Sequence, residues 1–220
     1  MTTPYKLVVF DWEGTLGDPL GHIHHALYQE AKRLALEAYD PKVGRRYVAL
    51  GLEKAVQKIF PGLNMHVYEQ LLMGMQQVLT NHAASVFLFP GAVQAIHTLH
   101  KAGVMLAIAT NKGEGSLERD LQATDLSAYF AVTASASRFP VKPSPEMLQA
   151  VLDETGIEAQ EAIMIGDSVS DMDMASALGV ASVGVDFYHQ QAEDLQAHGA
   201  KAVFDDFQQL LRFLGFKEGE

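Results

Sequence analysis

At 220 residues, 48% of them hydrophobic, the chain carries enough apolar side chain to bury a substantial core, as one large domain or one domain with an insertion. Its 16 Lys and Arg against 27 Asp and Glu give a formal charge of −11, which leaves no basic surplus to displace counterions from a nucleic-acid backbone and argues against such a partner. The absence of cysteine excludes disulfides, thiolate nucleophiles and cysteine-based zinc sites, and no apolar run approaches membrane-spanning length.

The first six residues, MTTPYK, lack the hydrophobic region of a signal peptide, so a cytoplasmic location is expected, with no membrane and no obligate protein partner. Leu7-Val8-Val9-Phe10 is a short apolar run rich in β-branched residues and reads as a strand buried on both faces. It runs directly into Asp11, with Glu13 two positions on and Gly14-Thr15 after that. An acid is costly in a core, so the strand is expected to end there and present Asp11 at its C-terminal edge, where open α/β sheets bind ligands.

About seventy residues of helical periodicity follow, with almost no strand signal. Helices are predicted over 22–39, 52–60 and 65–86, with Pro41 and Pro61-Gly62 as breaks. From Pro90-Gly91 the pattern changes to alternating helix and strand. Helices are expected over 92–101, 116–123, 144–155, 170–178, 190–198 and 207–213. The strands between them fall at 104–109, 131–134, 162–165, 181–185 and 202–204. Such alternation implies right-handed parallel crossovers. The fold class is therefore α/β: a Rossmann-like three-layer core with a parallel sheet, built from 1–16 and 88–220, and an inserted all-helical cap domain, 17–87, after the first strand.

In such a core the residues at the strand ends carry the chemistry. The first strand ends in Asp11 and Glu13. The second ends in Thr110-Asn111-Lys112, a hydroxyl and an amide suited to phosphate oxygens. Lys142 follows the third strand, between Val141 and Pro143. The fourth ends in Gly166-Asp167-Ser168, with Asp171 in the first turn of the next helix, where the dipole favours an anion. Each taken alone has an ordinary structural account: a turn, a solvated lysine, a cap. Their coincidence at successive strand ends is what is specific.

These motifs resemble the haloacid dehalogenase-like hydrolase superfamily, in its subfamily with a helical cap after the first strand. DWEGTL (Asp11 to Leu16), TNK (Thr110 to Lys112), Lys142 in VKPSPEM and GDSVSD (Gly166 to Asp171) are similar to its four motifs. Within it the phosphoglycolate phosphatases and their relatives are the nearest in style. The resemblance implies a phosphomonoester hydrolase acting on a small phosphorylated metabolite. Asp11 would be the nucleophile, forming an aspartyl-phosphate, and Glu13 the acid/base. Thr110, Asn111 and Lys142 would bind the transferring oxygens. Mg²⁺ would sit on Asp11, the Glu13 carbonyl and Asp167, with Asp171 orienting the site from behind.

Glu13 departs from the family, whose phosphatases usually carry aspartate there. Its intrinsic acidity is similar but its carboxyl reaches one methylene farther. A working acid in a re-spaced site, a weakened acid and a member turned to other chemistry or to none all fit. The alternatives to hydrolysis are a sugar-phosphate phosphomutase of the same family and a non-catalytic binder of phosphorylated metabolites. In the cap, Arg45 and Arg46 are the candidates to meet a substrate's distal anionic group, with solvated helix-end residues as the other reading. The histidines at 22, 24 and 25 and the methionines at 65, 73 and 75 are read as packing, and so is Trp12.

Overall fold

Leu7–Phe10 forms the first strand, β1, and its four side chains are fully buried. Alternate strand residues point to opposite faces, so a run with no polar position needs apolar cover on both. The structure is a computed structural model that describes residues 3–82 and 85–216. The remaining strands are β2 (Met105–Thr110), β3 (Val132–Ser135), β4 (Ala162–Gly166), β5 (Ala181–Val185) and β6 (Val203–Phe204). They form one sheet in the order β3-β2-β1-β4-β5-β6, parallel throughout. β1 is therefore central, with Phe10 level with Ile108 on one side and Ile165 on the other. The chain turns outward first one way and then the other from β1, so the crevice at the C-terminal edge opens beside Asp11.

Two compact units divide the chain: residues 1–17 with 88–220, and residues 18–87. In the first, helices cover both sheet faces, giving three layers. Helices α7 (Glu146–Thr155) and α8 (Val169–Ala177) bury Met147, Leu148, Val151, Met174 and Ala175 against Leu7, Val9, Ala107 and Met164. On the opposite face, towards which Val8 and Phe10 alternate, α5 (Ala92–Lys101) packs on β2 and α10 (Phe207–Phe213) packs on α5. Helices α6 (Glu114–Ala123) and α9 (Ala192–Ala197) complete the unit. Every crossover carries a helix, as parallel pairing requires.

The second unit is helical: α1 (Gly21–Arg33), α2 (Pro41–Val48), α3 (Leu52–Ile59) and α4 (Met65–Asn81). Its core joins Leu27, Val48, Val56, Phe60, Leu71 and Met75. The first helix stops at Arg33 rather than 39, because Ala35 takes φ 51 and cannot continue a right-handed turn. Pro41, expected as a break, instead opens α2: Asp40 caps it by accepting the Lys42 N–H at 2.8 Å, and proline fits a first turn whose N–H has no partner. The predicted helix 65–86 ends at Asn81; positions 83 and 84 lie outside the described residues. Of the three cap methionines read as core, Met75 is buried while Met65 and Met73 face solvent. His24 is buried, and His25 packs against the His82 and Phe87 rings.

Candidate active site

The Asp11 N–H still bonds the Ile165 carbonyl at 2.9 Å, so the ladder holds the backbone of Asp11 as firmly as that of the strand before it. Its carboxylate meets the Lys142 ammonium, whose Nζ lies 2.7 Å from Asp11 Oδ1 and 2.5 Å from Asp171 Oδ1. All three residues are buried. Asp171 is fixed from its other side, because its Oδ2 accepts the Ser168 N–H at 3.1 Å and the Ser168 hydroxyl at 2.7 Å, closing a capping box on α8. Gly166 leaves the room for it, since a Cβ there would lie 2.3 Å from Asp171 Cγ.

Lys142 is held through its backbone as well. Its N–H donates to Asn111 Oδ1 at 2.9 Å, which ties the loop after β3 to the loop after β2. Thr110, the last residue of β2, is buried, and its Oγ1 accepts the Lys112 N–H at 3.2 Å. The Lys142 ammonium thus stands against the Asp11 carboxylate, and Thr110 brings a hydroxyl to the end of the neighbouring strand β2; groups of these kinds hold the oxygens of an anion under attack.

Asp11, Asp167 and Asp171 offer carboxylate oxygens within 4.8 Å of one another. One ammonium offsets only part of this charge. Burial, reinforced by the charges of Asp11 and Asp171, raises Asp167 to about 7. Burial also raises Asp11, to about 6, against the pull of Lys142. For Lys142 burial acts downward, but the two carboxylates outweigh it and the ammonium is raised. The cluster therefore fits a small hard cation: its donors are oxygens only, and the surplus negative charge is what a divalent ion would neutralise. Both Asp171 oxygens are occupied by Lys142 and Ser168, so Asp11 and Asp167 are the residues that would hold it. Gly14 keeps the space open. It has φ 85, and a Cβ there would sit 2.0 Å from Asp167 Oδ2.

Glu13 has its carboxyl bonded to a different lysine. Its side chain is 57% exposed, and Oε1 accepts from Lys112 Nζ at 2.7 Å. Lys112 also meets Asp120 Oδ2 at 3.2 Å, and the same oxygen accepts the Trp12 indole N–H at 2.9 Å. Burial would lower Lys112, but its bonds to Glu13 and Asp120 raise it. Trp12, read as packing, is buried and also makes this bond. Sequence reasoning assigned no role to Lys112 or Asp120. Lys112 carried one signal, its place directly after Thr110-Asn111; Asp120, on α6, carried none.

Arg45 and Arg46 belong to the other unit, on α2. Arg45 is buried, and its Nε donates to Asp18 Oδ2 at 2.8 Å, while Arg46 is exposed on the same helix. Asp18 was not among the residues singled out from the sequence. Beside this pair His24 is lowered to about 4, by burial first and by the Arg45 charge second.

The sequence profile of the family described as haloacid dehalogenase-like hydrolase matches residues 8–185. The chain is 33% identical over 187 residues to a phosphoglycolate phosphatase from Mesorhizobium japonicum, covering 82% of each chain. It is 31% identical over 223 residues to a phosphoglycolate phosphatase from Rhodospirillum rubrum, covering 97% of this chain and 92% of that one. Among solved structures it is similar to a HAD-superfamily hydrolase from Ehrlichia chaffeensis, with a TM-score of 0.60 at 22% identity and 97% of both chains covered. At that identity the likeness speaks for the fold alone.

Proposed function

The chain belongs to the haloacid dehalogenase-like hydrolase family, and we propose that it is a phosphatase that hydrolyses a small phosphomonoester, 2-phosphoglycolate foremost, through a phosphorylated Asp11 with Mg²⁺ as cofactor. The observation that carries this reading is the Lys142 ammonium held between Asp11 and Asp171 at 2.7 and 2.5 Å. It aligns a buried carboxylate and keeps a cation where the transferring oxygens gather. The relatives named phosphoglycolate phosphatase support the substrate class.

Lys142 engages Asp11 Oδ1, which leaves Oδ2 to attack phosphorus. As the Oδ2–P bond forms, the bond from phosphorus to the substrate's alcohol oxygen breaks, and that oxygen takes a proton from Glu13. In the second displacement a water gives its proton to Glu13 and attacks phosphorus. The Asp11–phosphorus bond then breaks, its electron pair returns to Asp11, and inorganic phosphate leaves. The Thr110 hydroxyl, the Asn111 N–H and the Lys142 ammonium hold the three equatorial oxygens as charge moves across them. Mg²⁺, held by a carboxylate oxygen of Asp11, the Glu13 backbone carbonyl and Asp167, would neutralise the phosphate dianion and let it approach a carboxylate. Asp171 keeps Lys142 on axis.

The test is turnover of 2-phosphoglycolate and p-nitrophenyl phosphate with and without Mg²⁺, alongside Asp11→Asn, with acid-quench trapping of labelled phosphate on the protein. Turnover that requires Mg²⁺ and a trapped phosphoryl group that Asp11→Asn loses are expected. Undiminished turnover by Asp11→Asn overturns the reading.

A further inference from the structure

Glu13 has one more rotatable bond than an aspartate would have at its position, and its side chain is more than half exposed, so nothing in its own burial fixes where its carboxyl stands. A lone exposed Lys–Glu pair would not fix it either, because such pairs exchange readily with water. Here the lysine is anchored. Lys112 is largely buried, bonded to Glu13 Oε1 at 2.7 Å and to Asp120 Oδ2 at 3.2 Å, and Asp120 is held in turn by the Trp12 indole N–H at 2.9 Å. The chain of contacts returns to its start, because Trp12 and Glu13 are joined by a peptide bond. The result is a closed ring of four residues, Trp12, Asp120, Lys112 and Glu13, with a buried indole at its base. The Lys112 backbone is pinned too, by the Thr110 hydroxyl oxygen at 3.2 Å. A ring fixed at both ends restricts its members more than any one contact in it.

We propose that Lys112 is a positioning residue for Glu13: the Trp12–Asp120–Lys112 contacts hold the longer carboxyl at the one point from which its second oxygen exchanges a proton with the leaving group. This rests on the reading of the site as a phosphatase in which Glu13 is the acid. The lysine's reach is spent on two carboxylates rather than on the anion beside Asp11, so it acts through Glu13 and not on phosphate. Holding a proton donor in place is worth most when the departing oxygen needs that proton, as an alkoxide does and a p-nitrophenolate scarcely does.

The experiment compares kcat/KM, which reports the first displacement, for 2-phosphoglycolate and for p-nitrophenyl phosphate. The variants are Lys112→Met and Lys112→Arg, each in the wild-type and Glu13→Gln backgrounds. Lys112→Met is expected to lose roughly ten-fold on the alkyl ester and less than about two-fold on the aryl ester. Lys112→Arg should restore most of the loss, and Lys112→Met should add nothing to Glu13→Gln. Equal losses on both esters, or the same loss repeated on top of Glu13→Gln, overturn the proposal. Should Lys112→Met not fold, Asp120→Asn carries the same expectation, because it keeps the ammonium and removes its anchor. Trp12 is the sole tryptophan, so its emission reports the ring directly, and Asp120→Asn should shift it. An unshifted emission overturns the ring. A wild-type protein that turns over neither ester, or an Asp11→Asn variant that remains active, instead overturns the phosphatase reading.

Discussion

The side-chain oxygen of Asn111 accepts the backbone N–H of Lys142 at 2.9 Å, across 31 residues of sequence, so the loop after β2 carries the loop after β3. The lysine between Asp11 and Asp171 is thereby aimed from its backbone as well as from its ammonium. Asn111→Ala removes that acceptor and is expected to cost about 1 kcal/mol of stability by chemical denaturation. It should lower kcat/KM for p-nitrophenyl phosphate roughly ten-fold, because the ammonium loses its register.

Removing the ammonium itself is expected to be far more disruptive. Lys142→Met leaves Asp11 and Asp171 buried without their counter-charge, and loss of one partner of a buried pair costs about 3–5 kcal/mol. The double variant Lys142→Met/Asp171→Asn should recover part of that stability in urea unfolding while turnover stays absent. Such a result would separate the structural contribution of the triad from its chemistry.

Stability and pH should be linked through Asp167. Unfolded, it ionises at about 3.9; folded, it is raised to about 7 by burial and by Asp11 and Asp171. Between those values the folded protein binds the extra proton, so this residue's contribution to stability is greatest at low pH and falls as pH rises to about 7. On the proposed reading Mg²⁺ would bind the ionised carboxylate. Its stabilisation, read as the rise in Tm of protein first stripped with chelator, should therefore be larger at about pH 8 than at about pH 5. Asp167→Asn should flatten the pH dependence of the stripped protein and abolish most of the Mg²⁺-induced rise.

Gly14 is expected to resist substitution for two separate reasons. Its φ of 85 disfavours any Cβ, and a Cβ there would overlap Asp167 Oδ2 at 2.0 Å. Gly14→Ala should cost about 1–3 kcal/mol from backbone strain. It should also raise the Mg²⁺ concentration needed for half-maximal activity, by displacing Asp167.

The two cap arginines should separate cleanly. Arg45→Ala takes the guanidinium from the buried Asp18 carboxylate, which keeps the Leu20 N–H at 3.2 Å, and is expected to cost about 3 kcal/mol, whereas the exposed Arg46→Ala should stay within about 0.5 kcal/mol. If Arg46 meets a distal anionic group, its loss should raise KM for 2-phosphoglycolate and leave that for p-nitrophenyl phosphate unchanged. An unchanged KM for 2-phosphoglycolate, or the same fold change for both esters, would remove it from substrate recognition.

The core elements were legible because their signals are local. The strands at 7–10 and 181–185 and the helices at 92–101 and 207–213 match the structure residue for residue; β2 and β3 lie one residue later than expected at both ends, and β4 and β6 differ by one residue at one end. An apolar run between glycines and prolines names a buried strand whatever it packs on. The cap was read less well. Pro41 looked like a break but opens a helix, since proline's missing N–H is harmless in a first turn and Asp40 supplies the cap.

By itself the sequence determined the α/β alternation, the helical insertion and the residues standing at each strand end, because these follow from neighbours a few positions apart. Only the tertiary structure decided which charges meet. Lys142 lies 131 residues from Asp11, Lys112 lies 99 from Glu13, and Asp120 lies 108 from Trp12. Those pairings depend on β1 standing between β2 and β4, an order set by how the crossovers bury their helices rather than by any local pattern.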